Sequence, residues 1–309
     1  SPLSSSSAAS DVYKRQEQYA PDNDNSDRTK MTKTVAQAML AKVYAEKEVQ
    51  DYDKVIAYAD KVMKTTGVEL EDSYETLWGY DETAKDCMKR NTKEGILEVH
   101  WTTGSGNWET WMYGRQLDNW DYYFTWAKWI TPSRDIINDF DKEGDEVRKN
   151  QAIVYYACTW SNYYPASNYP FMYKLRSSYN NIYWLRLADI ILMKAEAEAY
   201  KGNLAESAKL VNQIRKRAKL KELTSDKTGS KESMIEAVLH ERRLELAFEG
   251  ERWFDLCRNN KVEQYLNGID NRDSGRIRQV RQFDGNSYLL PIPQTALDQN
   301  TNLEQNPGY

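Results

Sequence analysis

The sequence predicts a mainly α-helical protein whose paired helices are interrupted by a large, loop-rich aromatic insert with a few short strands. Three observations lead there. Two segments far apart in the chain carry apolar residues at helical spacing on both sides of a short polar turn. The stretch 67–184 between them keeps no regular period. Within that stretch, the interval from Trp101 to Trp184 holds eight of the ten tryptophans.

Composition sets the outer limits. With 309 residues, 40% hydrophobic and 29% charged, the chain has enough apolar mass for a core. A net charge of −5 opposes the basic footprint that nucleic acid requires. Mean hydropathy is −0.83. No apolar run approaches the roughly 18 residues of a membrane-spanning helix. Cys87, Cys158 and Cys257 match neither a disulfide framework nor zinc spacing. Two histidines, His100 and His240, leave little for metal or proton-shuttle chemistry.

Taken in order, residues 1–26 read as leader and linker outside the fold. Ser1 to Gln16 is Ser-rich without the apolar stretch of a signal peptide. Asp22, Asp24 and Ser26 alternate as in a calcium loop, but Asp27 and Lys33 stand where that loop needs Gly and Glu. Residues 27–66 read as a helix pair. Val35, Met39, Leu40, Val43 and Tyr44 share one face, then Tyr52, Val55, Ile56, Ala59, Val62 and Met63 share another, and Gly67 closes the unit. Ala188, Ile191, Leu192, Ala195 and Ala199, the Gly202–Asn203 turn, and Leu204, Ala208, Val211, Ile214 and Ala218 repeat that design. The interval from Ala45 to Tyr52 equals that from Ala197 to Leu204. The spacing fits a TPR-type repeat, whose alanines let helices approach closely. A third helix is expected from about Lys231 to Asn259, and a β-ribbon from Ile277 to Leu290 beside Arg276, Arg278 and Arg281, read as a solvated face.

The insert is densest from Trp101 to Ile130. Its rings are interleaved with Gly, Asn, Asp, Gln and Arg, while Val, Ile and Leu are scarce. A pyranose presents a C–H face that a flat ring covers and a hydroxyl fringe that amides and carboxylates satisfy. The candidate ligand-binding residues are therefore Asn107, Trp108, Trp111, Tyr113, Asp118, Trp120, Tyr122 and Tyr123. Trp101 follows a strand expected at Gly95 to Val99 and is assigned to the core. Thr131-Pro132-Ser133 reads as a helix start.

Catalytic patterns fail. His240-Glu241 opens like a zinc motif, but Leu244 occupies the second histidine position. Gly104, Ser105 and Gly106 lack the third glycine of a dinucleotide site. Glu241, Glu245 and Glu249 lie on one helix face, with Arg242 three residues from Glu245 and Arg252 three from Glu249. They read as a charge network fixing the helix rather than a glycosidase pair, which would face a cleft.

Three segments carry a resemblance: Tyr183 to Ala197 (YWLRLADIILMKAEA), Glu241 to Arg258 (ERRLELAFEGERWFDLCR) and Tyr288 to Tyr309 (YLLPIPQTALDQNTNLEQNPGY). In order and spacing the chain from Asp27 onward resembles the SusD/RagB family of nutrient-binding outer-membrane lipoproteins. The resemblance implies one SusD-like domain over 27–309: the helix pair 27–66, the ligand-face insert 67–184, and C-terminal helices with a ribbon over 185–309. It implies no catalysis and no cofactor, a lipid anchor on the outer membrane, and a SusC-like TonB-dependent transporter as partner. Oligosaccharides are delivered, or peptides in the RagB branch. It carries no individual binding residue onto this loop. No lipoprotein signal precedes Asp27, so the sequence reads as a C-terminal fragment behind an unrelated leader. Exposed apolar faces are accordingly expected from Val35 to Met63. A peptide-binding module and a glycoside hydrolase are the competing readings.

Overall fold

The computed structural model describes residues 5–81, 83–84, 86–101, 131–159, 163–177, 179–276 and 281–309. The chain forms two compact units, Ser1–Glu251 and Arg252–Tyr309, where the sequence suggests one domain over 27–309.

In the first unit, helix α1 (Ser5–Tyr19) occupies the stretch assigned to a leader outside the fold. Tyr13 and Glu17 lie one turn apart and share a face. Tyr13 packs beside Leu40 and Tyr44, and Glu17 accepts hydrogen bonds from Lys61 at 2.6 Å and Gln37 at 3.2 Å. Helix α2 (Lys33–Ala45) starts at Thr32, whose side chain accepts from Val35 N. Helix α3 (Tyr52–Met63) starts at Asp51, which accepts from Lys54 N. Gly67 follows with φ +79°, the left-handed region that glycine tolerates.

The apolar stripe from Val35 to Met63 is covered, against expectation. Val35, Leu40, Val55, Ala59 and Val62 are fully buried. One side joins the main core formed with Ala188, Ile191, Ala195, Val211, Ile214 and Val238. The other meets Met193, Ala197 and Tyr13. The remaining chain thus supplies the cover that the fragment reading assigned to absent residues.

The insert begins with helix α4 (Glu75–Trp78) and an antiparallel pair, β1 (Tyr80–Asp81) and β2 (Asp86–Cys87). Strand β3 (Gly95–His100) fulfils the expected Gly95–Val99 strand. Helix α5 (Arg134–Glu143) starts where Ser133 accepts from Ile136 N at 3.2 Å, and α6 (Glu146–Ala152) follows Gly144. Strands β4 (Ile153–Tyr156) and β5 (Tyr169–Met172) pair antiparallel, with Tyr156 opposite Tyr169. Strand β6 (Asn181–Arg186) returns to pair with β3 and runs directly into α7 (Leu187–Tyr200), which is buried from Leu187 to Ala199.

Gly202, at φ +85°, turns the chain into α8 (Leu204–Arg217), and Ser207 donates to Ala195 O at 2.7 Å across the pair. A short helix α9 (Ser225–Thr228) precedes α10 (Lys231–Glu245), whose start is a Ser230–Ser233 capping box. The single helix expected from Lys231 to Asn259 is broken after Glu245. Phe248 at φ +66° and Gly250 at φ +87° take left-handed conformations that no α-helix continues through.

The second unit contains α11 (Arg252–Arg258), α12 (Val262–Leu266), α13 (Ile269–Arg272) and α14 (Gln294–Gln299). No strand occurs among the described residues of the expected ribbon Ile277–Leu290. Gly285–Tyr288 is instead a 3-10 turn capped by Asp284. Asn267 holds the Phe283 backbone from both sides, accepting at 2.8 Å and donating at 2.9 Å. Arg281, largely exposed, lies 3.6 Å from Asp284, as a solvated face requires.

Candidate functional site

Asn107, Trp108, Trp111, Tyr113, Asp118, Trp120, Tyr122 and Tyr123 lie outside the described residues. The structure describes what flanks them.

On the N-terminal side β3 ends at His100 beside a polar knot. Fully buried Glu98 accepts from Asn91 N and Thr92 N, each at 2.9 Å, and from Asn181 Nδ2 at 3.2 Å. His100 Nε2 lies 2.7 Å from the same carboxylate. Trp101 is half-buried, and its indole N–H has no hydrogen-bond partner among the described residues. Its carbonyl accepts from Arg90 at 2.8 Å.

On the C-terminal side, tyrosines from 163–169 gather around residues 131–134. Thr131 Oγ1 and the Tyr169 hydroxyl are 2.9 Å apart, and Tyr164 donates to Pro132 O at 2.9 Å. The Arg134 guanidinium lies 4.4 Å from the Tyr163 ring centre and 4.1 Å from that of Tyr164, within cation–π range. Arg134 also donates to Tyr163 O at 2.7 Å. Tyr164 meets Tyr169 edge-on, and burial raises the Tyr169 phenol above its ordinary range.

Along the neighbouring hairpin, Tyr155 and Tyr156 point outward with 37% and 38% exposure. Tyr173 stacks on Arg176 at 3.7 Å, and burial pulls the pKa of that guanidinium down to about 10. Trp184 on β6 is the most open described tryptophan, 65% exposed. Rings and hydrogen-bonding groups are thus assembled here without a cluster of His, Cys, Asp and Glu able to hold a metal among the described residues. The sequence reading missed Tyr155, Tyr156, Tyr163 and Tyr164. Their signal was two Tyr-Tyr pairs outside the tryptophan-rich run.

The carboxylates tested for catalysis are fully engaged elsewhere. Arg148 donates to Glu241 at 2.7 Å and to Glu245 at 3.2 Å. Arg186 donates to Glu94 at 2.9 Å, Glu245 at 2.6 Å and Glu249 at 2.7 Å. Arg217 reaches Glu94 and Glu245, and Lys174 meets Glu249 at 2.6 Å. Burial alone would raise the Glu245 carboxyl, but Arg217, Arg186 and Arg148 hold it well below the usual range. A general acid needs the opposite shift. The network joins segments distant in sequence, and Arg242, expected beside Glu245, donates to Asp189 at 2.7 Å.

Helix pairs are stacked into a frame, and tyrosines are carried on the irregular connections beside it. The SusD family model matches residues 93–309, and the chain belongs to the SusD family. It is 36% identical over 135 residues to SusD-like protein P38 of Formosa agariphila, covering 42% of this chain and 25% of that protein. It is 24% identical over 283 residues to a SusD-like protein of Bacteroides ovatus, covering 77% of this chain and 48% of that one. The chain therefore spans less than half the length of these relatives. A SusD-like protein of Bacteroides fragilis has the same fold, with a TM-score of 0.73 at 21% identity, covering 97% of this chain and 70% of that structure. Surface glycan-binding protein A of Bacteroides thetaiotaomicron shares it at 0.69 and 16%, with the same coverages of 97% and 70%. No described helix is long and apolar enough to cross a membrane.

Proposed function

We propose that this chain binds oligosaccharide or polysaccharide at the cell surface without altering it, and passes it to a SusC-like TonB-dependent transporter. The carrying observation is the stacking of Arg134 against Tyr163 and Tyr164 just after residue 131, with Tyr155 and Tyr156 exposed on the β4–β5 hairpin. Rigid rings supply contact area at low entropic cost, and the guanidinium and hydroxyls supply donors for a sugar's fringe. Membership of the SusD family and the glycan-binding names of proteins sharing the fold support the same reading. Asn107, Trp108, Trp111, Tyr113, Asp118, Trp120, Tyr122 and Tyr123 are the proposed ligand contacts. The proposed location is the outer face of the outer membrane, held by a lipid anchor.

Isothermal titration against a polysaccharide panel tests this. Trp108→Ala, Trp111→Ala, Trp120→Ala and Tyr155→Ala are each expected to weaken binding by about tenfold, as loss of a stacked ring does. Unchanged affinity in all four would reject the face. Binding of peptides alone favours the RagB-like alternative. Release of reducing ends would show a hydrolase. Co-purification with a large β-barrel tests the transporter.

A further inference from the structure

We infer that Arg176 is a positioning residue that fixes the base of the β4–β5 hairpin and so sets where Tyr155 and Tyr156 stand toward a glycan. The inference rests on the reading of those two rings as ligand contacts. Arg176 is only 4% exposed. It donates from Nε to Tyr173 O at 2.7 Å, from Nη1 to Gln151 Oε1 at 3.0 Å and from Nη2 to Gln151 O at 2.8 Å. Its guanidinium also lies 3.7 Å from the Tyr173 ring centre. Gln151 lies in the last turn of α6, which runs into β4, and Tyr173 directly follows β5. Tyr173 N donates to Ala152 O at 2.8 Å and closes the ladder at the same level. Arg176 thus grips the hairpin where both of its strands join the frame.

All three acceptors are neutral oxygens. Arg148, Arg186, Arg217 and Arg242 are buried too, and each meets a carboxylate. A guanidinium buried against neutral groups gains no ion pair to offset its desolvation, so stability alone does not account for it. What the planar fork supplies is geometry, since it holds two chain segments at one separation and angle. The hairpin needs that support. Its sheet has two strands, paired from Ile153–Met172 to Tyr156–Tyr169, and a two-stranded hairpin is marginal by itself. Tyr155 and Tyr156 ride on the two pairs farthest from Arg176. Rings fixed before a ligand arrives lose less freedom when it docks, so the clasp raises affinity without touching sugar.

Hydrogen–deuterium exchange on the full chain, without ligand, reads the clasp. Arg176→Lys keeps the charge but loses the fork; Gln151→Met removes only the Oε1 contact. Exchange over residues 153–156 and 169–173 is expected to quicken by about tenfold in Arg176→Lys and about threefold in Gln151→Met, while 187–217 stays unchanged. Unchanged exchange in both variants overturns the clasp, as does an equal rise over 187–217, which would mark general loosening. A double-mutant cycle reads the positioning role, using a glycan from the polysaccharide panel that wild type binds. Arg176→Lys is expected to bind it about fivefold more weakly than wild type, yet to add no loss in a Tyr155→Ala/Tyr156→Ala background. A fivefold loss that persists without the rings overturns positioning through them, as does equal binding by Arg176→Lys and wild type. If wild type binds no glycan, the binding reading fails and the positioning role falls with it, while the exchange change still shows the clasp.

Discussion

Glu245 ends α10, and several segments converge on it. Its carboxylate meets Arg148, Arg186 and Arg217. Its carbonyl, left without a partner by the end of the helix, accepts from Tyr74 at 2.9 Å, Lys174 at 3.1 Å and Arg186 at 2.8 Å. Cations at a helix C-terminus also suit its negative dipole end. Removing one member of a buried ionic cluster leaves the others uncompensated, so Glu245→Gln is expected to cost about 3–5 kcal/mol, read as a lowered urea midpoint at constant m-value. Asp53→Asn is the control. Its carboxylate pairs with Lys201 in the open, and the midpoint should not move. A small effect at Glu245 would mean that the cluster is solvated rather than sealed.

At the scale of elements, the break after α10 depends on backbone conformation more than on packing. A Cβ placed on Gly250 would meet nothing within 4 Å, so Gly250→Ala tests the positive φ alone. A cost of about 1 kcal/mol is expected in equilibrium unfolding, and no cost would mean that the joint relaxes into another conformation. The sequence could not announce this break, because Leu244, Leu246, Ala247 and Phe248 keep an apolar pattern through it. The two helix pairs were legible because alanine spacing and a glycine turn are local signals. The leader helix was not, since it docks through Tyr13 and Glu17 in place of an apolar stripe. The site divided the same way. Tryptophan density marked the segment, but the meeting of Arg134 with Tyr163 and Tyr164 requires chain 29 residues downstream of Arg134 to fold back. No short-range pattern records that return. Over its described residues, 281–290, the expected ribbon failed for a related reason: Asp284 and Ser287 satisfy the local backbone and so compete with strand pairing.

For the molecule as a whole, the buried carboxylates set its response to acid. The bond with His240 holds the Glu143 carboxyl down to about 2; burial opposes this and Arg215 reinforces it. The folded value lies below the unfolded value of 4.5, so this stabilisation is complete above that pH and is lost as pH falls toward about 2. Glu245 and Asp189 shift in the same direction. Asp145 and Glu251 shift upward, chiefly through burial, and oppose the trend. Urea midpoints measured between pH 7 and 3 should hold to about 4.5 and then fall, with a shallower fall in Glu143→Gln. Equal slopes in the two proteins would remove Glu143 from this account.

The way the frame holds its connections has one more consequence. Arg90 grips Trp101 through its carbonyl, Tyr164 grips Pro132 through its carbonyl, and Arg134 grips Tyr163 in the same way. Every amino acid supplies that oxygen, so these sockets are blind to side-chain identity. The ionic network around Glu245 is the reverse, keyed to particular charges from distant segments. Such a molecule can exchange the lettering of its outer loops freely while its frame accepts almost no rewriting.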